Sequence, residues 1–397
     1  MKTVLLLLCL AVPAALGAPV PAARPNIVFI LIDDMGRRDL GCSGSNYYQT
    51  PRIDQPAAEG MQFTRAYSNC VVCSPSRAAI YTGQYTARNL FTNVVIGQNH
   101  DTPVIHNIGK DPEARLIKAN ARHFDAEHLR VIPLKHVTFA EALRESGYVT
   151  GFYGKWHCGY SRVFHPDKQG WEHAAGFRKF ARGTDPHWGK HWQDIVYDCP
   201  DLKDGDHFPD YLTERAVRFI KEKHEKPFLL TLSHYLVHGP LYSKPDLEEK
   251  YRKLPGDDQR NYKYAGMVEA VDQSVGRIID TLRECGIAKN TILIFTSDNG
   301  GLIPRSTSNL PLLGGKSFPY EAGTRVPFIV KWPGVTTAGS RNDTRVIATD
   351  LYPTICGMAG VPLPKGQKLD GVSLVPLLAQ SGRIGNLVDE PVALRYC

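Results

Sequence analysis

The chain has 397 residues, 43% of them hydrophobic, and a formal net charge of +7. This length predicts one large domain with a smaller appendage, and the hydrophobic fraction is that of an ordinary globular protein. The positive charge is mild for the length and no basic run is interleaved with aromatic residues, which argues against nucleic acid as a partner.

The first 17 residues have the layout of a secretory signal peptide. Lys2 precedes an apolar stretch over residues 4–15, and small residues at 15 and 17 stand before Ala18. The stretch is too short for a comfortable membrane span, so we predict export to a periplasmic, lysosomal or extracellular location without a stable membrane span. Cys9 could suggest a lipoprotein, but Leu8 stands where such sites place a small residue.

An apolar run over residues 27–32 predicts a buried central strand that ends at Asp33 and Asp34. Three later apolar runs also end in polar residues. They are residues 148–153, before Lys155 and His157; residues 228–232, before His234 and His238; and residues 291–296, before Asp298 and Asn299.

Helical patterns over residues 138–146, 211–224 and 267–285 alternate with these strands. The alternation predicts an α/β fold with a large, mostly parallel central sheet sandwiched by helices. Ligands of such sheets bind beyond the carboxyl ends of the strands. We therefore expect the polar residues at the four strand ends to form a single active site.

Residues 73–83 read CSPSRAAIYTG and predict a short helix with Cys73 at its N-terminus. Pro75 fits the first turn, and Gly83 can end the helix in a left-handed conformation. The free N–H groups and the helix dipole favour an anion near Cys73. Arg77, one turn further on, offers a planar fork of donors to an oxyanion. The alternative for Cys73 is a buried structural cysteine.

Four of the strand-end residues offer only oxygen ligands: Asp33, Asp34, Asp298 and Asn299. Oxygen donors select a hard cation such as Ca²⁺ or Mg²⁺ over zinc. Either pair alone could equally be a helix cap or a turn. Two pairs, each at the end of a buried strand, favour a metal site.

These motifs closely resemble those of the type I sulfatases, a family of the alkaline phosphatase superfamily. The resemblance rests on CSPSR at 73–77, GKWH at 154–157, HGP at 238–240, DN at 298–299 and GGK at 314–316. It implies a catalytic domain over residues 25–378 that hydrolyses sulfate esters, with a sulfated small molecule or glycan as substrate and carbohydrate esters as the expected class. Family members usually continue into a small C-terminal domain, so residues 379–397 are interpreted as the start of a truncated or minimal one.

The resemblance also implies the cofactors. Cys73 would be oxidised by a maturation enzyme to formylglycine, whose hydrate supplies the oxygen that attacks sulfur. Ca²⁺, or Mg²⁺, would be bound by the hydrated aldehyde at position 73 together with Asp33, Asp34, Asp298 and Asn299.

Residue roles follow from the same resemblance. Three cationic side chains would hold the sulfate: Arg77, Lys155 and Lys316. His157 would take a proton when the sulfated intermediate collapses, and His238 would protonate the departing alcohol. His234 is the competitor for the second of these roles. The glycine pair before Lys316 would let the backbone approach a ligand closely.

Two alternatives stay open at this point. The metal and the oxyanion clamp would equally serve a phosphate or phosphonate ester hydrolase on the same scaffold. A non-catalytic protein that binds sulfated glycans, whose Cys73 is never oxidised, is the alternative outside the enzymes.

Weakly periodic stretches over residues 99–135 and 164–207 are expected to be insertions above the site. Trp171, Trp188 and Trp192 in the second stretch would suit stacking on a sugar. Besides Cys9 and Cys73, seven cysteines remain, so at least one is unpaired or pairs between chains. Cys70 and Cys73 have the spacing of a redox dithiol, although no thioredoxin-like unit surrounds them.

Overall fold

The computed structural model describes residues 24–94, 129–160, 162–177 and 196–379. The strands are β1 (Asn26–Ile32), β2 (Met61–Tyr67), β3 (Val149–Gly154), β4 (His173–Ala175), β5 (Phe228–Ser233), β6 (Thr291–Ser297), β7 (Arg325–Lys331), β8 (Ser340–Asn342) and β9 (Val346–Ile347).

The α-helices are α1 (Pro51–Glu59), α2 (Cys73–Thr82), α3 (Thr86–Asn89), α4 (Phe139–Glu145), α5 (Phe208–Lys223), α6 (Pro245–Arg252), α7 (Tyr262–Glu284), α8 (Glu321–Thr324), α9 (Leu351–Ala359) and α10 (Val375–Ala379). Short 3₁₀ helices cover Gly41–Ser43, Arg162–Phe164, Pro166–Lys168, Ala288–Asn290 and Ala348–Asp350.

The strands form one sheet in the order β4-β3-β5-β1-β6-β7-β2-β8, with β9 paired to β2. The five strands from β4 to β6 are parallel, and β7 runs antiparallel to both of its neighbours. Since parallel strands end at the same edge, the polar residues that follow β1, β3, β5 and β6 meet there. The predicted α/β fold with a mostly parallel sheet is confirmed.

Helices cover both faces of the sheet because the central strands are apolar on both sides. Every residue of β1 is buried. Val28, Ile30 and Ile32 belong to one core cluster, which includes the apolar face of α7. Ile27 and Phe29 belong to the other, where Phe29 meets Phe139 of α4 edge-to-face at 6.1 Å. The site edge is thus carried by strands fully removed from water.

The helix predicted at residues 267–285 begins earlier, at Tyr262, and ends at Glu284. Asn261 is its N-cap, because its side-chain oxygen accepts hydrogen bonds from the backbone N–H groups of Lys263 and Tyr264 at 3.2 Å each. The cap residue breaks the apolar pattern, so apolar spacing alone located the start of the helix too late.

Trp171 does not lie above the site as expected. It is fully buried and packs against Trp156 and Tyr81 at ring distances of 5.6 and 5.4 Å. It is a core residue and cannot stack on a sugar. Trp188 and Trp192, residues 99–128 of the first predicted insertion, the predicted signal peptide and residues 380–397 lie outside the described residues.

No disulfide bond joins any two of the described cysteines, and the spacing of Cys70 and Cys73 does not make a dithiol bridge. Within the described ranges, no helix combines the length and the apolar character needed to cross a bilayer.

Candidate active site

The carboxylates that end β1 and β6 meet because these strands are neighbours in the sheet. The backbone N–H of Asp298 donates to the carbonyl of Ile32 at 3.0 Å, and that of Asp34 donates to the Asp298 side chain at 3.2 Å. Asp33, Asp34, Asp298 and Asn299 are at most 2% exposed. Their burial concentrates oxygen ligands in one small volume.

These residues fit a cation. One ligand atom from each of Asp33, Cys73 and Asp298 lies within 4.8 Å of the other two, and the same holds for Asp34, Cys73 and His238. Two buried oxygens, Oδ1 of Asp33 and Oδ1 of Asn299, accept no hydrogen bond from the described part of the chain. Buried acceptors are normally satisfied, so unsatisfied oxygens beside carboxylates suit a hard cation.

The predicted helix at residue 73 is confirmed. It runs from Cys73 to Thr82, and Gly83 ends it at φ 67°. Cys73 is 1% exposed at the positive end of this helix, beside the carboxylates. Burial raises the pKa of its thiol, against the opposing effect of Lys155 and Lys316.

Arg77 is fully buried, and most of its N–H donors form hydrogen bonds within the protein. Its Nε donates to Asp298 Oδ2 at 2.7 Å, and its Nη1 donates to the Lys155 carbonyl at 2.8 Å and to Ser233 Oγ at 2.7 Å. Nη2 lies 3.8 Å from Asp33 Oδ1 and has no hydrogen-bond partner in the described residues. The geometry makes Arg77 a positioning residue for Asp298 and leaves only Nη2 for another group.

Each carboxylate at the end of β1 contacts a lysine from elsewhere in the chain. Lys155 Nζ donates to Asp33 Oδ2 at 2.5 Å, and Lys316 Nζ donates to Asp34 Oδ2 at 2.7 Å. Burial alone would raise the pKa of Asp33, but Lys155, followed by His238 and other cations, holds that pKa well below its usual range. Asp33 is therefore ionised, as a metal ligand must be.

The structure separates the two competing histidines. The loop after β5 runs beside Asp33, whose carbonyl accepts from the Val237 N–H at 2.8 Å, and this brings His238 Nε2 to 3.7 Å from Asp34 Oδ2. The other ring nitrogen, Nδ1, donates to the Gly239 carbonyl at 2.5 Å. Burial lowers the pKa of His238, and Asp34 partly opposes this shift.

His234 faces another part of the molecule. It is fully buried and its Nε2 lies 2.8 Å from Ser274 Oγ on α7. Burial lowers its pKa to about 4, so it is a neutral core residue.

Three non-glycine residues of the site have left-handed backbone. They are Asp34 (φ 64°), His157 (φ 60°) and Ser317 (φ 70°), the last directly after Lys316. Each such conformation costs roughly 1–3 kcal/mol and persists where the surroundings impose it, which is common at functional sites. His157 follows β3 and lies 6.1 Å from the Tyr160 ring.

Asp39 is a buried residue near the site that sequence reasoning missed. It accepts hydrogen bonds from Tyr264 Oη at 2.6 Å, Thr307 Oγ1 at 2.8 Å and the Gly36 N–H at 2.7 Å. It thereby holds the loop that follows Asp34. Its partners come from distant parts of the chain, so no local motif could have identified it.

The glycine pair before Lys316 serves a different purpose from the expected one. A side chain at Gly315 would come within 2.4 Å of the Gly301 carbonyl. The close approach is between two backbone segments of the protein, and it places Lys316, whose N–H donates to the same carbonyl at 3.0 Å.

Comparison with known proteins gives consistent matches. The family model described as Sulfatase matches residues 25–361. N-acetylgalactosamine-6-sulfatase of Homo sapiens is 34% identical over 400 residues, covering 95% of this chain and 69% of the relative. A sulfatase of Formosa agariphila is 31% identical, covering 91% and 73%. Steryl-sulfatase of Homo sapiens is 28% identical, covering 95% and 73%.

Solved structures share the fold. The structure of Ps i-CgsB in complex with k-i-k-neocarrahexaose has a TM-score of 0.75 and 30% sequence identity, covering 89% of this chain and 76% of that chain. PsFucS1 sulfatase from Pseudoalteromonas sp. shares the fold with a TM-score of 0.69 at 24% identity, covering 90% and 72%.

Proposed function

Because this chain belongs to the type I sulfatase family of the alkaline phosphatase superfamily and is a sulfuric ester hydrolase, we propose that it hydrolyses sulfate esters of carbohydrates. The observation that carries this proposal is the buried cluster in which Cys73, at a helix N-terminus, lies among the carboxylates after β1 and β6. The relatives that act on N-acetylgalactosamine sulfate or bind a neocarrahexaose support the carbohydrate class. The steryl-sulfatase matches at lower identity.

We further propose that Cys73 is matured to formylglycine and that a divalent cation, Ca²⁺ or Mg²⁺, is the cofactor. The ligands would be Asp33, Asp34, Asp298, Asn299 and the modified residue 73. When bound, the cation would polarise a sulfate oxygen, and the aldehyde hydrate would supply the attacking hydroxyl.

Charge balance at the site suits an anionic substrate once a cation is bound. The three carboxylates of Asp33, Asp34 and Asp298 are matched in number by three cationic side chains: Arg77, Lys155 and Lys316. These six side chains carry no net charge together when all are ionised. A divalent ion would therefore leave an excess of positive charge buried at the sheet edge, which attracts an anionic ester.

The side chains of the chain would act as follows. Lys155 and Lys316 would move from their carboxylates towards the sulfate oxygens as the ester enters. His238 would protonate the leaving oxygen from Nε2 in its imidazolium form, since its Nδ1 proton is donated to the Gly239 carbonyl. His157 would accept the proton released when the second hydroxyl expels sulfate. Arg77 would hold Asp298 in place throughout.

The wider assignments also belong to this proposal. Residues 25–378 would form the catalytic domain, and the predicted signal peptide would direct the chain out of the cytoplasm to meet its maturation enzyme. The comparisons favour the sulfatase over the phosphate-ester hydrolase and the non-catalytic binding protein.

The test combines mass spectrometry and activity on protein made with a formylglycine-generating enzyme. We expect the peptide containing Cys73 to show the mass loss of a thiol replaced by an aldehyde, and the protein to release sulfate from sulfated sugars faster than phosphate from matched phosphate esters. Cys73→Ala should abolish turnover. Cys285→Ala, at the end of α7, is the control and should retain it. A fully active protein with an unmodified thiol would overturn the maturation step, and preference for phosphate would overturn the substrate class.

A further inference from the structure

A cleft with a volume of about 460 Å³ lies beside the site, and nothing in the proposed chemistry uses it. Its lining comes from two segments, residues 258–261 before α7 and residues 303–314 before Lys316. Ligand pockets of proteins commonly have volumes of roughly 300–1,000 Å³, so the cleft is large enough for a small molecule or one sugar unit.

The cleft wall is tied to the active site by hydrogen bonds. Asn309, in the wall, donates from Nδ2 to the carbonyls of Gly301 and Gly314 at 3.0 and 3.1 Å. The Lys316 N–H donates to the same Gly301 carbonyl at 3.0 Å. Gly301 comes two residues after Asn299, so one carbonyl links the wall, the sulfate-binding lysine and the end of β6. A substrate held at Lys316 can therefore extend towards the cleft.

The acidic residue of the lining is already paired with an arginine. Asp258 accepts hydrogen bonds from Arg38 Nη1 at 2.5 Å and from Ser308 Oγ at 2.7 Å. Arg38 also donates to the Leu310 carbonyl at 3.1 Å, which joins the two segments of the cleft. Asp258 thus contributes structure to the cleft, and Arg38, which also lies 3.6 Å from Asp257, offsets part of its negative charge.

The remaining lining combines a cation with apolar surface. Arg260 is exposed and forms no ion pair with any residue in the described ranges. Leu310 and Leu313 are 57% and 66% exposed, so together they give the cleft an apolar surface. Ser306 adds a hydroxyl group to the lining, whereas the Thr307 hydroxyl already donates to Asp39. An anionic group, several hydroxyls and an apolar ring face are together the features of an acidic sugar.

We propose that this cleft is a subsite for the sugar unit next to the sulfated one, and that it prefers a unit carrying a carboxylate or a second sulfate. Arg260 contacts the acidic group, and Leu310 and Leu313 pack against the ring. The inference rests on the proposed function, since it places the neighbouring unit of the same substrate. The preferred substrate is therefore an acidic oligosaccharide.

The first experiment compares Arg260→Gln with the parent enzyme on a sulfated monosaccharide and on a sulfated oligosaccharide with an acidic neighbouring unit. We expect unchanged kinetics on the monosaccharide. On the oligosaccharide, KM should rise about three- to tenfold while kcat is retained, as expected for loss of one partly exposed ionic contact. Leu313→Asn should raise KM on the oligosaccharide in the same way. Equal KM values on the oligosaccharide, or equal losses on both substrates, would overturn the proposal.

The control is Lys289→Gln, which removes one positive charge before β6, at the opposite edge of the sheet. It should behave like the parent enzyme on both substrates. An oligosaccharide with a neutral neighbouring unit separates charge from ring packing, because Arg260→Gln should not change its KM whereas Leu313→Asn should.

Direct binding distinguishes failure of the subsite from failure of the proposed function. The Cys73→Ala protein cannot turn over substrate, and titration calorimetry on it measures the Kd for the acidic oligosaccharide with and without Arg260→Gln. A Kd raised about three- to tenfold supports the subsite whatever the enzyme assay shows. An unchanged Kd overturns the subsite even if the monosaccharide sulfate is hydrolysed.

Discussion

Arg77 and His238 lie at the same sheet edge but have different roles: Arg77 supports a carboxylate, and His238 is the proposed proton donor. Arg77 is fully buried, and its guanidinium bonds Asp298, Ser233 and the backbone of Lys155. His238 has its Nε2 3.7 Å from Asp34. One side chain therefore holds the carboxylates in place, and the other is the proposed proton donor to a substrate oxygen.

Replacing Arg77 by methionine tests its positioning role. The change leaves Asp298 buried without its ionic partner, and such losses cost about 3–5 kcal/mol of unfolding free energy. Urea unfolding of the parent and of Arg77→Met would measure this difference. The control is Lys253→Met, which breaks an exposed pair with Glu249 and should cost less than about 1 kcal/mol. Similar small losses in both variants would contradict the assignment.

Replacing His238 tests its proposed role as general acid. His238→Ala should lower kcat on a sugar sulfate by about 10²–10⁴-fold, because the leaving alkoxide is then not protonated. A nitrophenyl sulfate has a leaving group that departs without a proton, so its kcat should fall much less. His234→Ala should not show this dependence on the leaving group. An equal loss on both esters with His238→Ala would refute the role.

At the scale of elements, packing between helices decides details that lie outside any motif. The N-terminus of α1 rests on α7, where Asp272 accepts a hydrogen bond from the Ile53 N–H at 2.7 Å. Asp272 is 3% exposed, and burial raises its pKa from 3.8 to about 7. A buried carboxyl thus serves as a distant cap for another helix.

The raised pKa of Asp272 predicts a pH dependence of stability. Between pH 4 and 7 the folded chain keeps this proton while the unfolded chain releases it, so the contribution of Asp272 to stability falls as the pH rises. Asp272→Asn mimics the protonated form, keeps the acceptor and should remove this fall, which is at most about 4 kcal/mol. Unfolding free energies at pH 5 and pH 8 would measure it.

Asp280→Asn supplies the comparison for that measurement. Asp280 lies on the same helix with a half-exposed side chain. The Asp280→Asn variant should show the same change of unfolding free energy with pH as the parent protein. The prediction fails if Asp272→Asn and the parent lose stability equally between the two pH values.

At the scale of the whole molecule, the parallel sheet places the site at the ends of its central strands. The proposed cation ligands follow β1 and β6, which pair with each other along their whole length. A cation bound there would contact only the folded chain. Its binding energy would therefore stabilise the entire domain.

Calcium should raise the thermal unfolding midpoint of the chain. A free concentration 100 times the Kd corresponds to about 2.7 kcal/mol of stabilisation. Asp34→Asn removes one ligand charge and should reduce the shift strongly, whereas Asp343→Asn, an exposed residue after β8, should not. Stabilisation of equal size in both variants would place the cation elsewhere. Chelation should return the midpoint to that of the metal-free chain.

Much of the site could be predicted because its residues lie in short sequence motifs. Asp33-Asp34, Cys73 with Arg77, and Asp298-Asn299 each follow or begin a recognisable strand or helix. The strands β2 and β7 were not predicted, and the start of α7 was placed five residues late. Strands β2 and β7 depend on pairing with each other, and the start of α7 depends on its cap, Asn261. Periodicity along the sequence detects neither.

By itself, the sequence determined the α/β class, the four strand ends that carry polar residues and the position of Cys73 at a helix N-terminus, because these properties depend on periodicity and on neighbouring residues. Only the tertiary structure decided which histidine faces the carboxylates, that Arg77 supports Asp298, that Trp171 is core, and that a cleft with Arg260 adjoins Lys316. Those outcomes depend on contacts between residues far apart in the chain, and local patterns carry no information about them.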